Sequence, residues 1–363
     1  MMKHNFSAGP AILPRPVIEA SAEALLNFKN SGLSLIEISH RSKDFVAVME
    51  EARQRVKSLY HLNDDYEVLF LQGGASLQFC MVPYNLMKPE GQAAYLKTGA
   101  WATKALKEGK VFGDALAAGS SEDANFNYIP KDFSLDESLS YFHITTNNTI
   151  YGTEIHDLAS LTSEARAKGI PVVADMSSDI FSRKLDMNLI DLAYAGAQKN
   201  TGPAGTTLVI VRKSILGQSG RNIPTLLNYQ THIDKGSMFN TPPVFAVYVS
   251  MLNLRWLEEQ GGLAEIEKRN KAKSEHLYSE IDRNSLFEGT AAKADRSRMN
   301  VTFILKDSGL ESEFLQKAEQ AGIVGIKGHR SVGGFRASIY NALPIDSVKV
   351  LTELMKEFEL SHS

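Results

Sequence analysis

Between residues 66 and 212 the chain repeats one pattern: a short run of β-branched or aromatic residues, a turn rich in Gly, Ser or Asn, then a longer polar or helical stretch. The runs are Tyr66 to Leu71 and those within LSYFHITTNNTIYG, PVVADMSSDI, LDMNLIDLAYAGAQKN and TTLVIVRK. Short apolar runs of this kind suit strands buried on both faces, and helical stretches between them suit crossovers, so the pattern predicts an α/β fold around a mostly parallel or mixed sheet. The strand Tyr66 to Leu71 is expected to turn through Gly73-Gly74 into a helix over QGGASLQFCMVPYNLM, where the backbone can approach a ligand closely.

The flanks read differently. Gly9-Pro10, Pro14 and Pro16 break any repeating hydrogen-bond pattern, which makes residues 1–15 an irregular arm. From Asp44 to Leu62 the residues Phe45, Met49, Ala52, Val56 and Leu59 recur at helical spacing. Pro242-Pro243 introduce a long linking helix over VFAVYVSMLNLRWLEEQ, and Gly261-Gly262 interrupt it before a charged helix around 263–282. MNVTFIL, GGFRASIY and a closing LTELMKEFEL helix then suggest a smaller α+β domain. The expected organisation is an arm (1–15), a large domain (16–255) and a small C-terminal domain (256–363), as a length of 363 residues favours.

Charge and cysteine usage exclude several classes of function. Lys plus Arg number 39 against 42 Asp plus Glu, so no bulk positive field attracts nucleic acid or anionic lipid. No stretch approaches about twenty uninterrupted apolar residues, so no membrane span is expected. A single cysteine, Cys80, excludes an intrachain disulfide and a multi-thiolate metal site and suits a reducing cytoplasm; no metal is expected.

The most informative pair is Asp175, closing PVVAD, and Lys199, after the next run in AYAGAQKNTGPAG. An acid leaving one strand and an amine following the next face the same crevice at the carboxyl ends of a sheet. That pairing suits pyridoxal phosphate, whose aldehyde a lysine amine can capture and whose pyridine nitrogen a carboxylate can keep protonated. Gly73, Gly74, Ala75 and Ser76 offer amides and a hydroxyl for a phosphate at a helix start. Taken singly, Asp175 also reads as a cap, Lys199 as a solvated loop charge and QGGAS as a plain strand-to-helix turn. The residues alone leave both readings standing.

Motifs spread along the chain go further: FSAGPAILP, SHRSKDF, QGGASLQF, NNTIYGTE, VVADMSSDI, GAQKNTGPAG, MFNTPPVFAVY and GIKGHRSVGGFRASIYNA. Through them, and over nearly its whole length, the chain resembles the phosphoserine aminotransferases of the class-V family. The resemblance implies a type I pyridoxal-phosphate-dependent fold in a cytoplasmic homodimer, with a large mixed-sheet α/β domain and a smaller C-terminal α+β domain. It implies transfer of the amino group of L-glutamate to 3-phosphohydroxypyruvate in L-serine biosynthesis, and also action on 3-hydroxy-2-oxo-4-phosphonooxybutanoate in pyridoxal phosphate biosynthesis. Lys199 would be the Schiff-base lysine, Asp175 the partner of the pyridine nitrogen, Trp101 the stacking ring and Thr149 a bond near the cofactor ring. Ala75, Ser76 and Gln198 would hold the cofactor phosphate, with Asn240 and Thr241 completing the partner's cofactor site. Arg336 would clamp the substrate α-carboxylate. Arg41, His329 and Arg330 would take the substrate phosphate or the distal carboxylate of glutamate.

Two departures and three alternatives accompany this resemblance. Ala75 stands where the family carries a third glycine, keeping the amide, and Leu77 offers no side-chain contact to phosphate. An alanine-glyoxylate or serine-pyruvate aminotransferase would need fewer phosphate-binding groups than Arg41 with His329-Arg330. A cysteine desulfurase would need a mobile reactive cysteine, whereas Cys80 reads as a small core residue within a helix. A cofactor-binding regulatory protein without transaminase activity is the alternative from another class.

Overall fold

The computed structural model describes residues 3–362. Its strands are β1 (His4–Asn5), β2 (Tyr66–Leu71), β3 (Gln92–Lys97), β4 (Asp114–Ser120), β5 (Phe142–Thr145), β6 (Val172–Asp175), β7 (Leu192–Gly196), β8 (Thr207–Arg212), β9 (Phe287–Gly289), β10 (Asn300–Leu305), β11 (Ile323–Val324) and β12 (Phe335–Ser338). Seven of them form one sheet in the order β2-β8-β7-β6-β5-β3-β4. From β7 to β4 every pairing is parallel, while β8 runs against both of its neighbours. The carboxyl ends of β2, β3, β5, β6 and β7 therefore lie along one edge, where a doubly covered sheet binds its ligands.

Both faces of this sheet are covered, as the apolar runs require. Val68, Phe70, Ala174 and Ile210 face a core that includes residues of α1 (Arg15–Leu26), α2 (Lys43–Leu59) and α7 (Val244–Glu259). The alternate residues Leu69, Leu71, Val173 and Val209 face the opposite core, with α3 (Gly74–Leu86) and α4 (Ala100–Gly109). This is the two-residue period of a strand with two buried sides. Helix α5 (Leu158–Ala167) makes the crossover from β5 to β6, and α6 (Tyr229–Asp234) packs beside β2. Helix α2 stops short of the expected Leu62, because His61 takes φ +51°, outside the helical region.

The C-terminal part is built on an antiparallel sheet, β12-β10-β9. Phe287, Phe303, Phe314, Phe335 and Phe358 meet there with α8 (Gly262–Arg283), α9 (Glu311–Gln320) and α10 (Ile345–Ser361). Each such buried side chain contributes about 1.5–3 kcal/mol relative to exposure. Helix α8 joins the two cores, with Leu263 and Ile266 in the first and Leu277 and Ile281 in the second. The arm also spans them. Strand β1 pairs in parallel with β11, Phe6 is fully buried in the phenylalanine core, and Ala11 N donates to the Gln198 carbonyl at 2.9 Å.

Candidate active site

Five segments leave the carboxyl edge of the large sheet and enclose one cleft, lined among others by Ser76, Trp101, Thr149, Asp175, Gln198 and Lys199. The chain leaves β2 through Gly73 and Gly74, both left-handed at φ +90° and +67°. A Cβ at Gly73 would stand 2.4 Å from Leu77 Cδ2, so the turn needs glycine. Leu77 thus packs down on this turn, which accounts physically for an apolar residue in the stretch. Gly73 provides no side-chain cap to α3, leaving the first-turn amides of Ala75 and Ser76 available to an anion.

Lys199 lies in the loop joining the antiparallel pair β7 and β8. Its Nζ donates to Thr149 Oγ1 at 2.8 Å. Burial pulls the Lys199 amine down to about 8; the Asp175 charge opposes that fall, and the Arg336 charge adds to it. Asp175, at the end of β6, accepts from Ser177 N at 3.0 Å and Ser177 Oγ at 2.7 Å, both on Oδ1. Its Oδ2 takes no hydrogen bond among the described residues and is left for a donor in the cleft. Burial pushes the Asp175 carboxyl up from its ordinary value, against the pull of the Ser177 bonds and the Lys199 charge.

The cleft also holds polar atoms awaiting partners. Trp101 Nε1 and Thr145 Oγ1 are buried without a hydrogen bond, although both residues line the cleft. Buried polar groups are seldom left so unless a ligand completes them. An uncapped helix start, a free carboxylate oxygen, a flat indole and an amine of lowered basicity fit pyridoxal phosphate as a set.

The remaining residues expected at the substrate and cofactor phosphate divide into two sets. Arg336, on β12, reaches the cleft from the C-terminal part and donates from Nη1 to the Thr149 carbonyl at 3.4 Å, with its Nε buried and unpartnered. Burial lowers its pKa from the ordinary value. His329 and Arg330 lie in the exposed loop before β12, where His329 Nδ1 is 2.7 Å from Ser331 Oγ. The His329 pKa is lowered by partial burial, then by the charges of Arg336, Arg330 and Lys104, each of which acts on this imidazole. Lys104 Nζ in turn lies 4.4 Å from the Trp101 ring centroid.

The second set stays outside this cleft. Arg41 is exposed in the loop before α2, and its amide donates to Ser39 Oγ at 3.2 Å. The Thr241 carbonyl accepts from Gln72 Nε2 at 2.6 Å, and Asn240 lines a separate apolar hollow with Gln72 and Leu77. Cys80 is half-buried rather than in the core, with Sγ 3.6 Å from Glu108 Oε2. Among the described residues no group of three or more His, Cys, Asp or Glu could hold a metal ion.

Sequence reasoning passed over several residues of the site. Asn147 donates to Ser178 Oγ and to Asn300 Oδ1, each at 2.8 Å, and so fastens the loop after β5 to β10. Behind it Asp179 accepts from Thr146 Oγ1 at 2.5 Å and lies 3.5 Å from Arg183; burial pushes its carboxyl up to about 7. The available signal was the polar string SSD directly after VVADM, in a segment otherwise apolar.

The aminotransferase class-V family model matches residues 3–351. The chain is 58% identical over 360 residues to the phosphoserine aminotransferase of Flavobacterium psychrophilum, covering 99% of each chain. Among solved structures, phosphoserine aminotransferase from Bacillus circulans subsp. alkalophilus superposes with a TM-score of 0.95 at 43% identity, over 100% of this chain and 99% of that one. A phosphoserine aminotransferase from Trichomonas vaginalis, described as bound to pyridoxal phosphate, gives 0.91 at 35% identity over 98% and 100%.

Proposed function

The chain belongs to the class-V aminotransferases, and from its 58% identity to a phosphoserine aminotransferase we propose that it transfers the amino group of L-glutamate to 3-phosphohydroxypyruvate, yielding O-phospho-L-serine and 2-oxoglutarate for L-serine biosynthesis. The observation that carries this reading is the cleft itself. Lys199, Asp175 and the uncapped start of α3 line one space, and Arg336 donates to the carbonyl of Thr149 beside it.

Pyridoxal phosphate, when bound, supplies an aldehyde and an electron-accepting ring. Lys199 would hold it covalently, one per subunit, and is the amine placed to move the substrate Cα proton. An amine near 8 keeps a useful neutral fraction at neutral pH. Asp175 would keep the ring nitrogen protonated. Trp101 would stack on the ring, a contact that favours orientation of the bond to be broken. Thr149, whose hydroxyl accepts from Lys199, would bond near the cofactor ring. Ala75, Ser76 and Gln198 take the cofactor phosphate.

Arg336 grips the substrate α-carboxylate by paired hydrogen bonds. Arg41, His329 and Arg330 take the distal phosphate or carboxylate. The related 3-hydroxy-2-oxo-4-phosphonooxybutanoate carries the same two anionic ends and is a second acceptor in this reading.

A homodimer is part of the proposal, with Asn240 and Thr241 completing the partner's cofactor site. Two observations support it. Arg41, Asn240 and Thr241 stay outside their own cleft, and Leu26 and Ile36, in the segment that carries Arg41, are 82% and 64% exposed. The division into an arm (1–15), a large cofactor-binding part (16–255) and a small part (256–363) belongs to the same reading. No described helix is long and apolar enough to cross a membrane, and we place the enzyme in the cytoplasm.

The test is a comparison of acceptors. With L-glutamate as donor, kcat/KM for 3-phosphohydroxypyruvate should exceed that for pyruvate by about a hundredfold or more, because the phosphate-binding groups go unpaired with pyruvate. Equal efficiency would contradict the substrate assignment.

A further inference from the structure

Outside the cleft, one charged group is buried at a place where charge is costly. Lys273, on α8, is 2% exposed, and its ammonium has no carboxylate partner among the described residues. It donates instead to the backbone carbonyls of Ile339 at 2.9 Å, Tyr340 at 2.7 Å and Leu343 at 3.1 Å. An ammonium has three protons and no acceptor, so these bonds use its whole capacity. An apolar side chain would fill the space but leave three buried carbonyls unpaired.

The segment that Lys273 grips is a junction. It continues β12, the strand that carries Arg336. Within it, Asn341 N donates to Asn200 Oδ1 at 3.0 Å, next in sequence to Lys199, and Asn341 Nδ2 donates to the Phe181 carbonyl at 2.9 Å. Tyr340 OH donates to the Ala8 carbonyl at 2.8 Å, which ties in the arm. One turn before Lys273, Asn270 Nδ2 donates to Asn341 Oδ1 at 2.8 Å and to the Ser182 carbonyl at 3.0 Å. Helix α8 thus holds the segment at two successive turns, between the strand of the proposed carboxylate clamp and the loop of the proposed catalytic amine.

We infer that Lys273 is a positioning residue, whose three carbonyl bonds fix residues 339–343 and so keep Arg336 in register with Lys199. It acts on substrate engagement and not on the proton transfer. The inference rests on the reading of Arg336 as the α-carboxylate clamp.

The experiment compares wild type with Lys273→Met and Lys273→Gln, all cofactor-loaded, measuring kcat and KM for L-glutamate and 3-phosphohydroxypyruvate together with melting temperature. Both substrates carry an α-carboxylate, so both KM values should rise about tenfold in Lys273→Met with kcat within about threefold, as for a misplaced binding group. Lys273→Gln retains amide donors and should show a smaller rise in the same direction. A lowered melting temperature with unchanged KM values would reduce Lys273 to a purely structural part and overturn the inference, as would a fall in kcat alone. Should Lys273→Met fail to fold, Lys273→Gln and Asn200→Ala, which removes the acceptor of Asn341 N and leaves the bonds from α8 in place, decide by the same criterion. A wild-type protein that makes no phosphoserine would overturn the underlying function instead, so the two failures are separable.

Discussion

Two lysines of this chain are buried, and they could hardly be used more differently. Lys199 touches a single hydroxyl, lies near a carboxylate and faces a cleft; burial brings it to about 8. Lys273 is closed in by three carbonyls, and burial brings it to about 7, with Arg269 adding to the fall. Depressed basicity is therefore shared, and it does not by itself mark a nucleophile. What separates the two is the free volume beside the amine and the number of acceptors that immobilise it: a nucleophile needs room and an unspent lone pair, whereas Lys273 has neither.

The sharpest break of this contrast is Lys199→Ala. It should abolish cofactor attachment and reduce transamination by at least about a thousandfold, seen as loss of the bound-cofactor absorbance and of phosphoserine formation. Rapid turnover in that variant would place the chemistry elsewhere. Next in size is Asp175→Asn, which removes the carboxylate proposed to hold the ring nitrogen and should cost about a hundredfold to a thousandfold in kcat. Because the Asp175 charge raises the Lys199 pKa, the pH midpoint for capture of pyridoxal phosphate by the cofactor-free protein should also move below that of wild type. A midpoint that rises would refute the electrostatic coupling.

Arg336→Ala should act on binding, raising KM for both substrates about ten- to a hundredfold, the effect of losing charge-assisted hydrogen bonds. An unchanged KM would refute the clamp and remove the ground for the role of Lys273. The smallest effect is on stability. In the cofactor-free protein, folding lowers the Lys199 pKa from 10.5 to about 8, so the unfolded chain binds more protons across that window. This group's burial therefore opposes folding fully below about 8 and less and less towards 10.5. The stability advantage of Lys199→Met over wild type should accordingly shrink between pH 7.5 and 9.5 in urea unfolding; a growing advantage would reverse the sign. The same comparison at Lys273 should show Met losing stability instead, because three carbonyls lose their donor.

The same contrast explains how much the sequence disclosed. VVAD and TLVIVR are apolar but for their end residues, as strands covered on both faces must be, and both are strands. QAAYLK and DALAAGS are strands too, but alanine and glycine carry little β preference, and no β-branched residue marks β3 or β4. Lys199 and Asp175 could be paired because each follows a legible strand. The neighbours Asn147, Ser177 and Ser178 could not, since their roles depend on hydrogen bonds reaching from one loop to another. Lys273 sat in a charged helix indistinguishable by pattern from a solvated face, and only the tertiary fold brings residues 339–343 over it. Asn240, Thr241 and Arg41 mark a further limit, since one chain's sequence does not say in whose cleft a residue works.

The most direct test of the account is to follow both halves of the reaction in one cuvette. Purified, cofactor-loaded protein is mixed first with L-glutamate and then with 3-phosphohydroxypyruvate, while the cofactor spectrum, 2-oxoglutarate and phosphoserine are recorded. The account predicts conversion of the cofactor to its amine form with one equivalent of 2-oxoglutarate, then return of the original spectrum with one equivalent of phosphoserine. A bound cofactor whose spectrum does not respond to glutamate, or one that is not restored by 3-phosphohydroxypyruvate, would contradict it.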